Sequence, residues 1–382
     1  MNLNIHSISR NTSNILTIIA VVLGSTALLY LPFATGAMQY LGFQKEANMN
    51  SVYQNYDGLY YVVASQTWYK PEAIEGMRLE FNLPYEYYAA HLPLYPFFIS
   101  VFALVLSNVH SMIVTSIFFT ILLAVGLYFF LIHFNLSKYP VILVTVFLFL
   151  PRFFITRSVG APETLFMFMI LGSIFFFEKK QYLYAGILGA LATMTKTPGI
   201  LLFGAYGLVF LEQMVREKKF IFSWRWISLG LIPLGLVAVF TLYEIQYNNF
   251  LAYFNTGGVV PMPYPFSVFN SGAKWVDTVW LEEIILYFFL YGLAVITLKD
   301  SKYRSLFYFP LLFLAMGTLV QHRDLSRYLL PLWPFALIAF EKLFTSKKFL
   351  VILIILIPAI YLYAWNFMSS NIIPVSDWRP FL

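Results

Sequence analysis

The stretch NYDGLYYVVASQTWY, residues 55–69, lies in the middle of a long polar excursion between two apolar runs. The run before it, residues 15–31, is long enough for a membrane-spanning helix, and the run at 111–133 is longer. The stretch places one acidic residue, Asp57, among aromatic and amide side chains just outside the predicted membrane. The fold therefore depends on how the other apolar segments are arranged around this loop.

The composition indicates a polytopic membrane protein. Of the 382 residues, 60% are hydrophobic and 11% are charged, whereas about 25% of residues are charged in a soluble domain. Too few charged side chains are present to cover a water-facing surface. Because the chain has no cysteine, disulfides and thiolate metal sites are excluded.

The apolar pattern predicts an all-α fold of about eleven membrane spans in one integral membrane domain, residues 1–382. The predicted spans lie at 15–31, 111–133, 139–150, 164–177, 182–194, 200–213, 226–243, 280–298, 304–320, 328–341 and 348–365. The first run lacks a clear cleavage pattern and is predicted to be an uncleaved anchor. Residues 93–107 are short and proline-rich at their start. We expect them to form a helix in the outer interface rather than a span.

The charge distribution predicts a cytoplasmic N-terminus. In that orientation the inner loops hold fourteen of the 24 basic residues and five of the 18 acidic residues, as the positive-inside rule requires. The extracytoplasmic side then carries the first loop at 32–110, a loop at 244–279 that could act as a flexible lid, and the tail at 366–382. The net charge of +6 therefore orients the protein in the membrane, and no nucleic-acid partner is predicted.

Ionisable residues recur at the outer ends of the predicted spans, where a charge is costly and is by default a functional hypothesis. They are Asp57, His91, Arg152, Arg157, Glu163, Lys196, His322, Arg323, Asp324 and Arg327. Half of them are arginine or lysine. Since guanidinium donors match phosphate oxygens, this clustering favours a site for a lipid phosphate at the interface. The alternative is that each basic residue is an interfacial anchor that reaches to water.

Five short motifs occur in a fixed order along the chain. They are YDGLYY (56–61), HLPLYP (91–96), SVGAPETLF (158–166), LATMTKTPG (191–199) and SRYLLPLWP (326–334). Over residues 50–335 the chain resembles the C superfamily of membrane glycosyltransferases (GT-C), which use polyprenyl-phosphate-linked sugars. The nearest resemblance is to the GPI mannosyltransferase II family and its prokaryotic relatives. Tyr56 stands where that family has tryptophan, and Lys196 where it has arginine.

This resemblance implies a glycosyltransferase that moves a mannose-like hexose from a polyprenyl or dolichyl phosphate to an extracytoplasmic glycan or lipid acceptor. Asp57 matches the family's first-loop acid and is expected to be the general base of an inverting transfer. Tyr56 and Gly58 flank it as substrate-binding candidates, with Gly58 expected to leave room for the sugar. The alternative role for Asp57 is to cap a helix over residues 59–68.

The basic residues are assigned to the donor phosphate and the remaining site residues to the acceptor. Lys196, beside the helix break at Pro198-Gly199, and Arg327 are expected to bind the phosphate. Arg323, four residues before Arg327, is expected to share its helix face. Glu163 and Arg157 are expected to shape the acceptor side, although Glu163 could instead complement a helix N-terminus.

His91 and His322 are further substrate-binding candidates, with an interfacial position as the alternative for each. The segment ITRSVGAPE, residues 155–163, loosely resembles a loop of oligosaccharyltransferase catalytic subunits in which acids hold a divalent metal. It has one acid and no D-x-D or D-x-E pair, so no metal or other cofactor is expected. The expected partners are the lipid-linked donor, a glycan or lipid acceptor, and membrane lipids.

Two other functions fit a chain of this class. A transporter or flippase of lipid-linked saccharides would be built from two related halves with charges near the membrane midplane, whereas the charges here gather at one face. An oligosaccharide ligase or a protein glycosyltransferase of the same superfamily is a further alternative, and the lack of a long soluble segment disfavours the version with a protein acceptor. A purely structural membrane protein would need no basic cluster facing an acid.

Overall fold

The computed structural model describes residues 5–42, 47–256 and 258–382, with side chains from Asn11 onward. Those ranges hold helices and no β-strand, apart from a lone bridge between Asn55 and Ile372. The helices are α1 (Ile5–Thr35), α2 (Met49–Tyr53), α3 (Gly58–Thr67), α4 (Pro71–Gly76), α5 (Leu94–Phe102), α6 (Asn108–His133), α7 (Pro140–Leu148), α8 (Pro151–Thr156), α9 (Glu163–Glu178), α10 (Tyr182–Thr195), α11 (Leu201–Glu217), α12 (Leu231–Tyr247), α13 (Ala252–Asn255), α14 (Glu282–Leu298), α15 (Ser305–Thr318), α16 (Leu325–Tyr328), α17 (Trp333–Ala339), α18 (Glu341–Phe344) and α19 (Lys347–Ser370). Turns of 3₁₀ helix precede α11, α12 and α17 at Thr197–Ile200, Trp224–Gly230 and Leu330–Leu332.

Five helical segments of the described chain are long and apolar enough to cross a membrane. They are Asn11–Thr35, Asn108–His133, Thr197–Glu217, Trp224–Tyr247 and Lys347–Ser370. Shorter apolar helices lie at Tyr182–Thr195, Ser305–Thr318 and Leu325–Ala339. The described residues are therefore all-α, and their apolar helices indicate an integral membrane protein. The count of eleven spans remains a prediction.

Prolines and helix length explain the short elements. The predicted span at 139–150 ends as α7 at Leu148, and Pro151 begins the next helix. The predicted span at 328–341 is interrupted in the same way by Pro331 and Pro334. The nine residues of α5 cover only about 14 Å at 1.5 Å per residue. This helix is too short to span, as predicted for its segment.

The centre of the bundle is packed through small residues. Helix α10 packs against α9 and α12, and α6 packs against α9. On α12, a Cβ at Gly235 would lie 2.7 Å from the carbonyl oxygen of Ala190. On α10, a Cβ at Gly189 would lie 2.6 Å from Ile232. Glycine lets these helix backbones approach closely, as in membrane bundles generally.

Side-chain contacts join loops that were predicted to lie on the same side of the membrane. At the predicted inner end, Glu341 accepts a hydrogen bond from Ser137 Oγ at 2.8 Å. At the same end, Arg304 Nε lies 2.6 Å from Glu212 Oε2. The charged residues of the candidate site lie at the opposite end of the helices. The positive-inside pattern remains the basis for predicting which end faces the cytoplasm.

Candidate functional site

Asp57 stands at the N-cap position of α3, but it does not act as a cap. Its backbone has φ −96° and ψ 17°, and its side chain makes no capping hydrogen bond. The side chain is 42% exposed, whereas the nearby carboxylates of Glu163 and Asp324 are 1% and 16% exposed. Asp57 is therefore the accessible carboxylate of this cluster.

Gly58 holds Asp57 against the loop that precedes α9. A Cβ on Gly58 would lie 2.9 Å from Met112 Sδ and 3.3 Å from the carbonyl oxygen of Gly160. A Cβ on Gly160 would lie 2.9 Å from Gly58 Cα. The structure thus corrects the expectation that Gly58 leaves room for a sugar, because this space is filled by protein. The close approach instead brings Asp57 to the start of α9.

Glu163, the first residue of α9, joins two basic side chains from separate parts of the fold. Its Oε1 lies 2.8 Å from Lys196 Nζ and 2.8 Å from Arg327 Nε. Its other oxygen, Oε2, is buried and has no hydrogen-bond partner among the described residues. Since a buried carboxylate is stable only when it is paired, Glu163 holds both cations in fixed positions.

Lys196 reaches Glu163 because the chain leaves the helix at this residue. Helix α10 ends at Thr195, and Lys196 is extended, with φ −150° and ψ 137°. The 3₁₀ turn that follows contains Pro198 at its start. Proline has no backbone N–H, so Pro198 cannot make the hydrogen bond that would continue α10. The predicted helix break beside Lys196 is therefore confirmed.

Arg327, in α16, connects the buried carboxylate to the exposed one. Its Nη1 lies 3.7 Å from Asp57 Oδ2, while its Nε bonds Glu163. The guanidinium lies 4.0 Å above the ring of Tyr56, a cation–π arrangement. Tyr56, Asp57, Glu163, Lys196 and Arg327 thus form one continuous cluster from four segments that are far apart in sequence.

Arg152 extends the cluster and received no role from the sequence. Its Nη2 lies 3.3 Å from Asp324 Oδ1, and its Nη1 donates to Tyr56 Oη at 3.1 Å. Its Nε donates to Ser326 Oγ at 3.2 Å. Burial raises the pKa of Asp324, although Arg152 opposes that effect. Three cations and three carboxylates therefore face one another at this end of the bundle.

His91 lies in an aromatic box beside Asp57. Its ring is 4.8 Å from the ring of Tyr61 and 5.3 Å from that of Tyr60, both edge-on. Burial lowers the pKa of His91 to about 4, with Asp57 acting in the opposite direction. His91 is therefore a neutral packing element in this structure.

Arg157 lies outside the cluster, and Arg323 and His322 lie at its rim. Arg157 is fully buried against α1, where Nη1 and Nη2 bond Thr26 and Ser25 at 2.9 and 2.7 Å. It therefore does not line the acceptor side. Arg323 is exposed and precedes α16, which begins at Leu325. The predicted shared helix face with Arg327 is therefore wrong.

His322 stands beside Asp324, at the rim of the cluster. Its Nδ1 accepts the backbone N–H of Asp324 at 3.0 Å. Burial lowers the pKa of His322. Its ring lies 4.9 Å from that of Tyr328, edge-on. These contacts favour a role in holding the loop before α16.

The outer loops and the tail pack around the site. In the loop at 244–279, the hydroxyl of Tyr253 is 3.1 Å from Thr197, next to Lys196. The tail returns to the first outer loop, where the N–H of Ile373 donates to Gln54 at 2.9 Å. At the end of the tail Phe381 is buried. These contacts place the loop beside Lys196 and the tail beside the segment that precedes Asp57.

Comparison with known proteins identifies the fold. The chain is similar to the crystal structure of the Archaeoglobus fulgidus oligosaccharyltransferase in its apo form, with a TM-score of 0.53 and 13% sequence identity. The match covers 95% of this chain and 57% of the oligosaccharyltransferase chain. This protein thus shares the helical fold of that oligosaccharyltransferase, and its long apolar helices are those of an integral membrane protein.

The narrower resemblance to the GPI mannosyltransferase II family remains a prediction. No protein-family model matches the sequence. No curated protein matches it either.

Proposed function

We propose that this protein is a GT-C glycosyltransferase that transfers a mannose-like hexose from a polyprenyl or dolichyl phosphate to an extracytoplasmic glycan or lipid acceptor. The observation that carries the proposal is the exposed carboxylate of Asp57, 3.7 Å from a guanidinium that is itself anchored on buried Glu163. The ordered motifs support the class of donor. The fold shared with an oligosaccharyltransferase supports glycosyl transfer at a membrane.

Asp57 is the proposed general base. The acceptor hydroxyl gives its proton to the carboxylate as its oxygen bonds to the anomeric carbon. The bond from that carbon to the phosphate breaks on the opposite face, and the phosphate leaves with the bonding electrons. One carboxylate is sufficient for this inverting step because phosphate is a good leaving group.

The donor phosphate is proposed to bind at Lys196 and Arg327, with Arg323 at the exposed rim. Among the four contacts that link the six charged groups, the one between Arg327 and Asp57 is the longest, at 3.7 Å. A phosphate can therefore take Arg327 Nη1 and leave Asp57 free to accept a proton. Glu163 holds the two cations from below, a positioning role in place of the acceptor contact expected from the sequence.

The proposed transfer needs no divalent metal. Each carboxylate of the cluster is close to a basic side chain: Asp57 and Glu163 to Arg327, and Asp324 to Arg152. Sugar transfer by the purified protein should therefore be unchanged after treatment with EDTA. A rate that falls with EDTA and returns with Mg²⁺ or Mn²⁺ would contradict this part of the proposal.

Sugar transfer in lipid nanodiscs tests the proposal directly. Radiolabelled polyprenyl-phosphate sugars are offered with membrane lipid extract as acceptor. Asp57→Asn should lower the rate about 10²- to 10⁴-fold, the usual range for loss of general base catalysis. Asp377→Asn, which changes an aspartate of the tail, should leave the rate unchanged. Flux of labelled lipid across the bilayer without transfer would instead favour the transporter alternative.

A further inference from the structure

An apolar groove runs along α19 on the outside of the bundle. The cavity has a volume of about 330 Å³, at the lower end of the range for ligand pockets, ~300–1,000 Å³. Its walls include Val146, Leu150, Trp333, Leu353, Leu356 and Tyr363. Leu356 and Tyr363 are 47% and 40% exposed, so the groove is open along one side.

The groove has the length and direction of an extended lipid chain. The residues that α19 contributes recur every three or four positions from Phe349 to Tyr363, with Ala359 beside Ile360, and so occupy a single face of the helix. These positions cover about 21 Å at 1.5 Å per residue. The groove therefore runs through much of a hydrocarbon layer that is about 30 Å thick.

One end of the groove leads to a basic side chain. The ring of Phe367, one turn beyond Tyr363, lies 6.2 Å from the Tyr363 ring. The guanidinium of Arg152 is 4.8 Å above the Phe367 ring. The side chain of Arg152 is 16% exposed, and its carboxylate partner, Asp324, lies 3.3 Å away. A phosphate at this end can bind the guanidinium of Arg152 in place of Asp324.

The same arginine connects the groove to the candidate site. Arg152 donates to the hydroxyl of Tyr56, and Arg327 lies over the ring of the same tyrosine. Tyr56 thus contacts both guanidinium groups. A phosphate that leaves the groove at Arg152 is therefore one side chain from Arg327 and Asp57.

We propose that the groove between α7, α17 and α19 binds the isoprenoid chain of a polyprenyl phosphate, with Arg152 as the first cation that the phosphate meets before it reaches Lys196 and Arg327. The inference rests on the proposed function, to which it adds the location of the donor's lipid. An apolar channel that ends at a cation fits a long hydrocarbon chain with one phosphate at its head. Its continuity with the Asp57 cluster favours this occupant over a bulk phospholipid.

Photocrosslinking tests the groove without relying on catalysis. The full-length protein in nanodiscs is labelled with a polyprenyl monophosphate that carries a diazirine on its terminal isoprene, and the labelled peptides are mapped by mass spectrometry. Cross-links are expected in residues 146–151 and 349–363. Leu356→Trp fills the groove and should lower this labelling at least tenfold.

Ile354→Trp is the matched control. It introduces the same side chain two positions earlier on α19, at a residue that is 66% exposed and about 200° away around the helix. It should leave the labelling within twofold of the original chain. Equal effects of both variants, or labels spread over other lipid-facing helices, would mean that only surrounding membrane lipid is captured and would overturn the proposal.

Arg152→Gln tests the phosphate end. It should weaken labelling by the polyprenyl phosphate about tenfold and leave labelling by the matching polyprenol unchanged. Equal loss with both probes would overturn the role of Arg152.

The transfer assay separates failure of this inference from failure of the proposed function. Labelling in the groove without sugar transfer would contradict the proposed enzymatic function and support the lipid site. Transfer with the label elsewhere would remove only the lipid site.

Discussion

The two ends of the helical bundle use the same kinds of charged residue in different ways. At the predicted inner end, Arg304 pairs with Glu212, and their side chains are 22% and 32% exposed. At the predicted outer end, Glu163 is 1% exposed and is shared by Lys196 and Arg327. Partly exposed pairs add little stability, whereas a buried carboxylate depends on every partner. The outer arrangement is therefore costly and specific, while the inner one is a local anchor.

The largest difference between the two ends is expected for the glutamates. Glu163→Gln keeps the side-chain shape but leaves Lys196 and Arg327 without their carboxylate. It should reduce the free energy of unfolding by about 3–5 kcal/mol, the usual cost of breaking a buried pair. Glu212→Gln should reduce it by at most about 1 kcal/mol. Denaturation in detergent micelles measures both, and equal losses would remove the distinction.

A smaller difference is expected for the arginines. The Nε of Arg327 contacts Glu163, and its Nη1 is directed towards Asp57. A lysine has a single ammonium group and cannot make both contacts with the same geometry. Arg327→Lys should lower sugar transfer by about tenfold or more, corresponding to roughly 1.4 kcal/mol per factor of ten.

Arg304→Lys is the control at the opposite end, where Nε also contacts a glutamate. It should leave the transfer rate within twofold of the original chain. Unchanged transfer in Arg327→Lys would show that a single positive charge is sufficient at that position.

The smallest effect on stability is expected from the protonation of His91 at low pH. Burial holds the pKa of His91 at about 4 in the folded protein, against about 6.5 in an unfolded chain. The unfolded state therefore binds the proton first as the pH falls. Stability is complete above pH 6.5 and is lost towards pH 4, by about 1 kcal/mol between pH 7 and 5.5.

Replacing His91 by phenylalanine should remove this part of the pH dependence. The free energy of unfolding in detergent at pH 7 and at pH 5.5 measures this pH dependence. His133→Phe, at the predicted inner end where the ring is exposed, is the matched control. A pH dependence that survives in His91→Phe would assign it to other groups.

Two arginines show how far the sequence could predict the site. Arg152 and Arg157 both follow the predicted span at 139–150, and only Arg157 was predicted from the sequence to have a site role. Arg152 lies on α8 and Arg157 is the C-cap residue of that helix, so five residues separate them and their side chains point about 140° apart around the helix axis. The fold turns Arg152 to Tyr56 and Asp324, and it turns Arg157 to Ser25 and Thr26 on α1. No local pattern in the sequence distinguishes these two directions.

The sequence determined the class of the protein because its low charge and long apolar runs can be satisfied only in a membrane. It also indicated which ionisable residues lie at one end of the bundle, since each adjoins a span or lies in the first outer loop. Only the tertiary structure decided which of them meet. The contact between Gly58 and Gly160 and the ion pair between Glu163 and Arg327 bring together segments more than a hundred residues apart. The helix break at Lys196 brings that lysine to Glu163, 33 residues earlier. Distances of that kind are fixed by helix packing, which the spacing of motifs along a chain does not record.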